Sequence, residues 1–291
     1  MSLAGALHLA FMQRAVAAGV LIAVMAGLLG VFVVQRRLSF LGAGLAHAAF
    51  GGMGLGAFVI VSTGLLASGV GLLRHPVWIA VPFSLMAALG IAWVRQHTRL
   101  SSDTAIGVFF AVSVALGVFF FSIIPPDVNL GLSLMDLLFG SILSVTRPDL
   151  LVILGVAAVS VAFLTGAWGR LGYATFDDEL ARTDGVRSPL LEVLLFACAA
   201  VVIAVSSVVV GIILMAAYLV IPAASARLVS RSLLQMTVVS VLLAVLSTLA
   251  GLALSYLLDV PSGSTIVLTQ AALFVVAAAL SRRQKAGAAR Q

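Results

Sequence analysis

The strongest constraint in this sequence is a recurring one. Apolar runs of about 20 residues, the length that crosses a bilayer's hydrocarbon as a helix, are stopped again and again by short arginine clusters. The run at 16–34 stops at Arg36-Arg37, and the run at 77–94 stops at Arg95-Gln96-His97-Thr98-Arg99. Others cover 40–61, 103–124, 150–168, 190–208, 209–226, 233–257 and 265–280. A backbone in hydrocarbon must satisfy its own hydrogen bonds, so such runs fold as helices. Short alternating segments of the β-barrel kind are absent from the pattern. The expected fold is therefore all-α: a polytopic transmembrane helical bundle of eight or nine spans. It is nine if 190–208 and 209–226 cross separately, and eight if Gly211 and Pro222 merely break one long crossing.

Composition agrees. Of 291 residues, 63% are hydrophobic and 9% charged, and the mean hydropathy is +1.25. The net charge of +6 is spread between spans, which excludes a nucleic-acid face and instead orients the chain. Thirteen basic residues (36, 37, 95, 99, 170, 182, 187, 227, 231, 282, 283, 285 and 290) fall on one side, and Arg14, Arg74 and Arg147 on the other. The positive-inside bias puts the larger set in the cytoplasm, with the N-terminus outside and the C-terminal tail, 281–291, inside. No signal-peptide pattern opens the chain. The stretch 1–15 reads as a weakly amphipathic interfacial segment before the first span. The stretch 129–145 is too short and interrupted for a span, and reads as a short re-entrant or interfacial helix that must be shielded by protein. The whole of 1–291 reads as a single transmembrane domain. Cys198, the only cysteine, reads as a packing residue.

Four places carry candidate chemistry. His47 lies in LSFLGAGLAHAAFGGMGLG (38–56), whose glycines let neighbouring helices approach closely. An ionisable group at that depth marks a functional site, and neutral imidazole suits zinc, iron, nickel or copper. Asp136, in the re-entrant stretch, and Asp259, before Val260-Pro261-Ser262-Gly263, are the carboxylates within reach of a membrane path. Their plainer roles are a surface acid and a cap. Fourth is the longest polar stretch, 169–189. Thr175 followed by Asp177-Asp178-Glu179 reads as a capped helix start, with Leu180 continuing it and Asp184-Gly185 ending it. A cytoplasmic helix over 176–185 would offer Phe176, Asp177, Glu179 and Leu180 to a soluble partner. Smaller assignments follow the same logic. Ser101-Ser102-Asp103 opens a span as a cap, and Glu192 reads as a first-turn helix acid. There is no GxxxxGKS/T phosphate loop, HExxH or GxSxG, so any ATP hydrolysis belongs to a separate subunit. A proton-coupled secondary transporter with His47 as proton carrier, and an intramembrane metal-dependent enzyme, remain the other two classes these residues allow.

Taken together, the stretches RRLSFLGAGLAHAAFGG, DTAIGVFF with ALG, LLFGSIL, FDDELARTDGV, VGIILMAAYLVIPAASA and SYLLDVPSGSTIV resemble, in order, the permease subunit of the zinc/manganese/iron uptake family of ABC importers. The resemblance implies a transport subunit in a prokaryotic inner membrane, not an enzyme. It implies a homodimer in lipid, a cytoplasmic ATP-binding cassette ATPase carrying the ATP, and an extracytoplasmic metal-binding protein. No cofactor is held permanently; the divalent metal is cargo, zinc before manganese or ferrous iron. It also implies that His47 is the pathway histidine. Many members of that family carry an aspartate four residues before this histidine, in GDxxxH. Ala43 stands there in this chain, which removes one hard oxygen ligand and weakens the case for manganese.

Overall fold

The structure, a computed structural model, describes residues 9–64, 77–125, 138, 140 and 142–288. All regular elements among them are helical: α1 (Ala10–Gln35), α2 (Leu41–Ser62), α3 (Val77–His97), α4 (Ser102–Ile123), α5 (Arg147–Gly166), α6 (Trp168–Phe176), α7 (Asp178–Thr183), α8 (Ser188–Val210), α9 (Ile212–Val229), α10 (Leu233–Leu258) and α11 (Ser262–Ala288). A 3-10 turn at Ile142–Ser144 precedes α5. Nine of these described helices, all but α6 and α7, are long and apolar enough to cross a membrane.

Helix ends follow local chemistry. Ser101 caps α4 by accepting the Thr104 N–H, with Asp103 in the first turn as expected. Thr146 and Asp149 form a reciprocal capping box on α5. Gly211 separates α8 from α9 at φ 86°, a conformation that favours glycine, whereas Pro222 sits within α9 without ending it. Two boundaries differ from the sequence reading. From Ala10 onward, the stretch read as interfacial already belongs to α1. Most of 129–145 lies outside the described residues; its described end is the 3-10 turn, where Ile142 is buried.

The contacts divide the chain into two compact units: Met1–Ser39, Ser141–Val186 and Ala216–Gln291 in one, Phe40–Gly140 and Arg187–Met215 in the other. In the first, α1 lies against α10. The backbones nearly touch: a Cβ on Gly27 would stand 2.9 Å from the Val241 Cα, and the Ser240 hydroxyl donates to the Gly27 carbonyl at 2.9 Å. The fully buried Tyr218 phenol shares a 2.6 Å hydrogen bond with the Thr248 hydroxyl, which meets the need of a buried polar tip for a partner.

In the second unit, α2 packs against both α3 and α4. A Cβ on Gly52 would lie 2.7 Å from the Ala80 Cα, one on Gly51 2.6 Å from the Ser113 carbonyl oxygen, and one on Gly54 2.8 Å from that of Gly117. Small residues permit this approach where lipid supplies no hydrophobic drive for helix association. At the end of the same unit, Arg95 of α3 pairs with Glu192 of α8. Its guanidinium also lies 5.4 Å from the centre of the Phe196 ring. Glu192 is thus not a first-turn acid: α8 begins at Ser188, and no acid lies in its first turn.

Candidate functional site

The α2 backbone sets the position of His47. Between Leu41 and Gly54 only Ala43 and His47 retain partial exposure; every other residue there is buried. The two are four residues apart and share a helix face. The His47 Nδ1 lies 2.8 Å from the Ala43 carbonyl oxygen. A carbonyl only accepts, so Nδ1 is the donor, and in a neutral ring Nε2 is the nitrogen left to take a metal. The ring is held from the side by Phe110 of α4, centroids 4.4 Å apart and planes tilted by 57°. This is how a metal-binding histidine is usually prepared, with one nitrogen anchored to a backbone carbonyl and the other free. Ala43 therefore anchors the ring through its backbone carbonyl, while its side chain adds no carboxylate to the site.

The other candidates do not join it. Among the described residues no three His, Cys, Asp or Glu side chains converge to hold a metal ion. Asp259 is the C-cap of α10, in left-handed conformation at φ 53°, and its side chain is exposed. It thus closes the helix before the Val260-Pro261-Ser262-Gly263 turn through its backbone, not by a side-chain cap of that turn. Asp136 lies outside the described residues.

The polar stretch after α5 forms an elbow of two helices. Its break is at Asp177, not Thr175. The Asp177 carboxylate accepts the Leu180 N–H at 2.9 Å and caps α7. The Thr175 hydroxyl is engaged elsewhere: it donates to the Leu171 carbonyl at 2.5 Å and accepts from Arg36 Nε at 3.0 Å. Thr175 thus lies inside the last turn of α6, two residues before the α7 cap. The far end of α7 closes as the sequence foretold. The Gly185 N–H reaches the Arg182 carbonyl and the Val186 N–H that of Ala181, a Schellman pair with Gly185 at φ 82°. Tyr173 braces the bend by donating to Asp184. That hydrogen bond, with burial and the nearby carboxylates of Asp184 and Asp177 adding to it, pushes the phenol up to about 12. Leu171 and Ala181 face inward and are fully buried, whereas Phe176 and Leu180 are 68% and 51% exposed. Asp177 and Glu179 are exposed around them. The elbow therefore presents two large apolar side chains together with exposed acids on a polar segment.

Sequence reasoning missed two contacts, the Arg36–Thr175 hydrogen bond and the Arg95–Glu192 pair. The only signal for the second was local: Glu192 and Phe196 stand at i and i+4, one face of α8. Nothing local marks the first, whose partners are 139 residues apart.

Residues 8–281 match the ABC 3 transport family. The chain belongs to that family. Among its relatives is the manganese transport system membrane protein MntC of Halalkalibacterium halodurans, 30% identical over 96% of this chain and 90% of that protein. The high-affinity zinc uptake system membrane protein ZnuB of Haemophilus influenzae is 31% identical over 89% of this chain and 93% of its own length. A solved structure, PsaBC from Streptococcus pneumoniae in complex with Fab, superposes with a TM-score of 0.78 at 29% identity, covering 94% of this chain and 93% of that one. As an ABC 3 family member this chain is a membrane-embedded transport permease of a prokaryotic inner membrane and not an enzyme. Its ATP is handled by a partner subunit. That removes the proton-coupled carrier and the intramembrane enzyme from consideration.

Proposed function

We propose that this chain is the permease subunit of an ATP-driven importer of divalent transition-metal ions, with zinc as the preferred cargo. Family membership together with relatives named for manganese and for zinc supports the metal. The choice of zinc rests on one position. Ala43 supplies no carboxylate beside His47, and an imidazole without a neighbouring carboxylate favours zinc over manganese. His47 contacts the ion through Nε2, and further ligands come from water or from a second copy of the chain. Two copies form the path, an extracytoplasmic metal-binding protein delivers the ion, and an ATPase pair binds the cytoplasmic side.

In this reading the α6–α7 elbow is the ATPase dock. Phe176 and Leu180 enter a pocket on the ATPase, with Asp177 and Glu179 at the rim. The Arg36–Thr175 hydrogen bond carries elbow motion to the end of α1, and ATP-driven closure alternates access to His47. The deciding experiment is metal competition in the reconstituted importer. Unlabelled zinc is expected to suppress uptake of labelled zinc far more strongly than manganese does, and Ala43→Asp is expected to shift the preference toward manganese. Manganese winning in the unaltered protein would overturn the choice of zinc.

A further inference from the structure

At the end of the first unit opposite Arg36, α1 and α5 leave a cleft of about 510 Å³ whose lining includes Gln13, Arg14, Ala17, Arg147, Leu150 and Leu151. We propose that it binds an anionic phospholipid: the headgroup phosphate sits between the two guanidinium groups, and an acyl chain runs along α5.

Three observations converge. First, the charge in the cleft is uncompensated. Neither Arg14 nor Arg147 belongs to an ion pair among the described residues, and the buried Nε of Arg14 has no hydrogen-bond partner. A guanidinium in such a place calls for an acceptor. The acid nearest in sequence to Arg147, Asp149, makes its hydrogen bonds in the α5 cap, where one of its oxygens accepts both the Thr146 N–H and the Thr146 hydroxyl. Second, the donor set fits. Two planar guanidinium forks match the oxygens of a phosphate, and both sit within the first two turns of helices long enough to cross a membrane, near the ends where headgroups meet such helices. Third, the walls are apolar and open onto lipid. On α5, Leu151, Leu154, Gly155, Ala158 and Val159 are all exposed, and Leu151 and Val159 are 68% and 72% exposed. Their spacing of three and four residues makes one continuous stripe down the helix. A soluble anion would use only the arginines, whereas a lipid fills the cleft and covers the stripe. The site also accounts for a topological oddity. These two arginines lie at the end of α1 away from Arg36-Arg37, against the charge bias that orients the chain.

The test uses the purified full-length chain in its complex with the ATPase, in nanodiscs of mixed phosphatidylglycerol and phosphatidylcholine. Bound lipid is read by native mass spectrometry after detergent exchange. The unaltered chain is expected to retain phosphatidylglycerol selectively, and Arg14→Gln with Arg147→Gln to retain at least about tenfold less, with Arg14→Lys and Arg147→Lys intermediate. Arg147→Gln alone, at an exposed first-turn position, keeps the test valid if the double variant misfolds; it is expected to retain several-fold less lipid at an unchanged Tm. Equal retention of the two lipids, equal retention by the Gln variants, or displacement of the lipid by millimolar inorganic phosphate would overturn the proposal. So would weakened capture of the extracytoplasmic binding protein with lipid retention unchanged, which would make the cleft a protein dock.

Discussion

The two candidate working parts of this protein, α2 around His47 and the α6–α7 elbow, are built by opposite means. In α2 no side-chain cap holds the N-terminal end that leads to His47, and position comes from backbone contact with α3 and α4 through Gly51, Gly52 and Gly54. The elbow rests on hydrogen bonds between near neighbours: Asp177 to Leu180, Tyr173 to Asp184, and the Gly185 closure. Its outer residues touch little. The difference teaches where each part is fragile. A histidine oriented by packing tolerates no new atom in its helix interface. An elbow shaped by local bonds tolerates change in its exposed face without unfolding, and under the proposed docking role would fail only in its coupling.

The comparison breaks most visibly at His47. His47→Ala is expected to lower metal uptake at least tenfold, with the permease still folded and its ATPase still active; near-normal uptake would reduce His47 to a packing residue. On the other side, Phe176→Ala with Glu179→Ala is expected to leave Tm unchanged while uptake per ATP hydrolysed falls several-fold. Tightly coupled uptake in that variant would remove the elbow from the ATPase interface. Gly51→Ala sharpens the contrast from the packing side. Its methyl would meet the Ser113 carbonyl at 2.6 Å, and overpacking of this kind costs about 1–3 kcal/mol, read as a lowered Tm in detergent and less folded protein. The smallest effect belongs to Asp177→Ala. It removes the α7 cap for about 1 kcal/mol of local stability, read as faster amide exchange at Leu180, with exchange in α2 unaffected.

Much of this was legible in the sequence because it is local. Apolar length specified the membrane-crossing helices, and the Gly211 break that left eight or nine open proved a separation between two described helices, each long enough to cross. The Asp184-Gly185 ending and the Ser101 start needed only a few residues' chemistry. Where a local reading failed, a distant residue was the cause. Thr175 looks like a cap, but its hydroxyl is held by the Leu171 carbonyl and by Arg36, which left the cap to Asp177. Glu192 looked like a helix-start acid until Arg95 was found beside it.

The candidate site divides along the same line. That residue 47 is a histidine on a glycine-rich helix, with alanine and not aspartate four residues before it, is written in the chain. The order of apolar runs and arginines, a matter of composition along one dimension, likewise marked the protein as a polytopic helical membrane protein. Only the tertiary structure decided that Ala43 and His47 keep access while their neighbours are buried, and that Phe110 steadies the ring. It alone brought Arg14 and Arg147 to one cleft. Exposure and juxtaposition depend on which helices pack together, and that choice is made by backbone contacts between glycines and residues tens of positions away, for which no single stretch of sequence carries a sign.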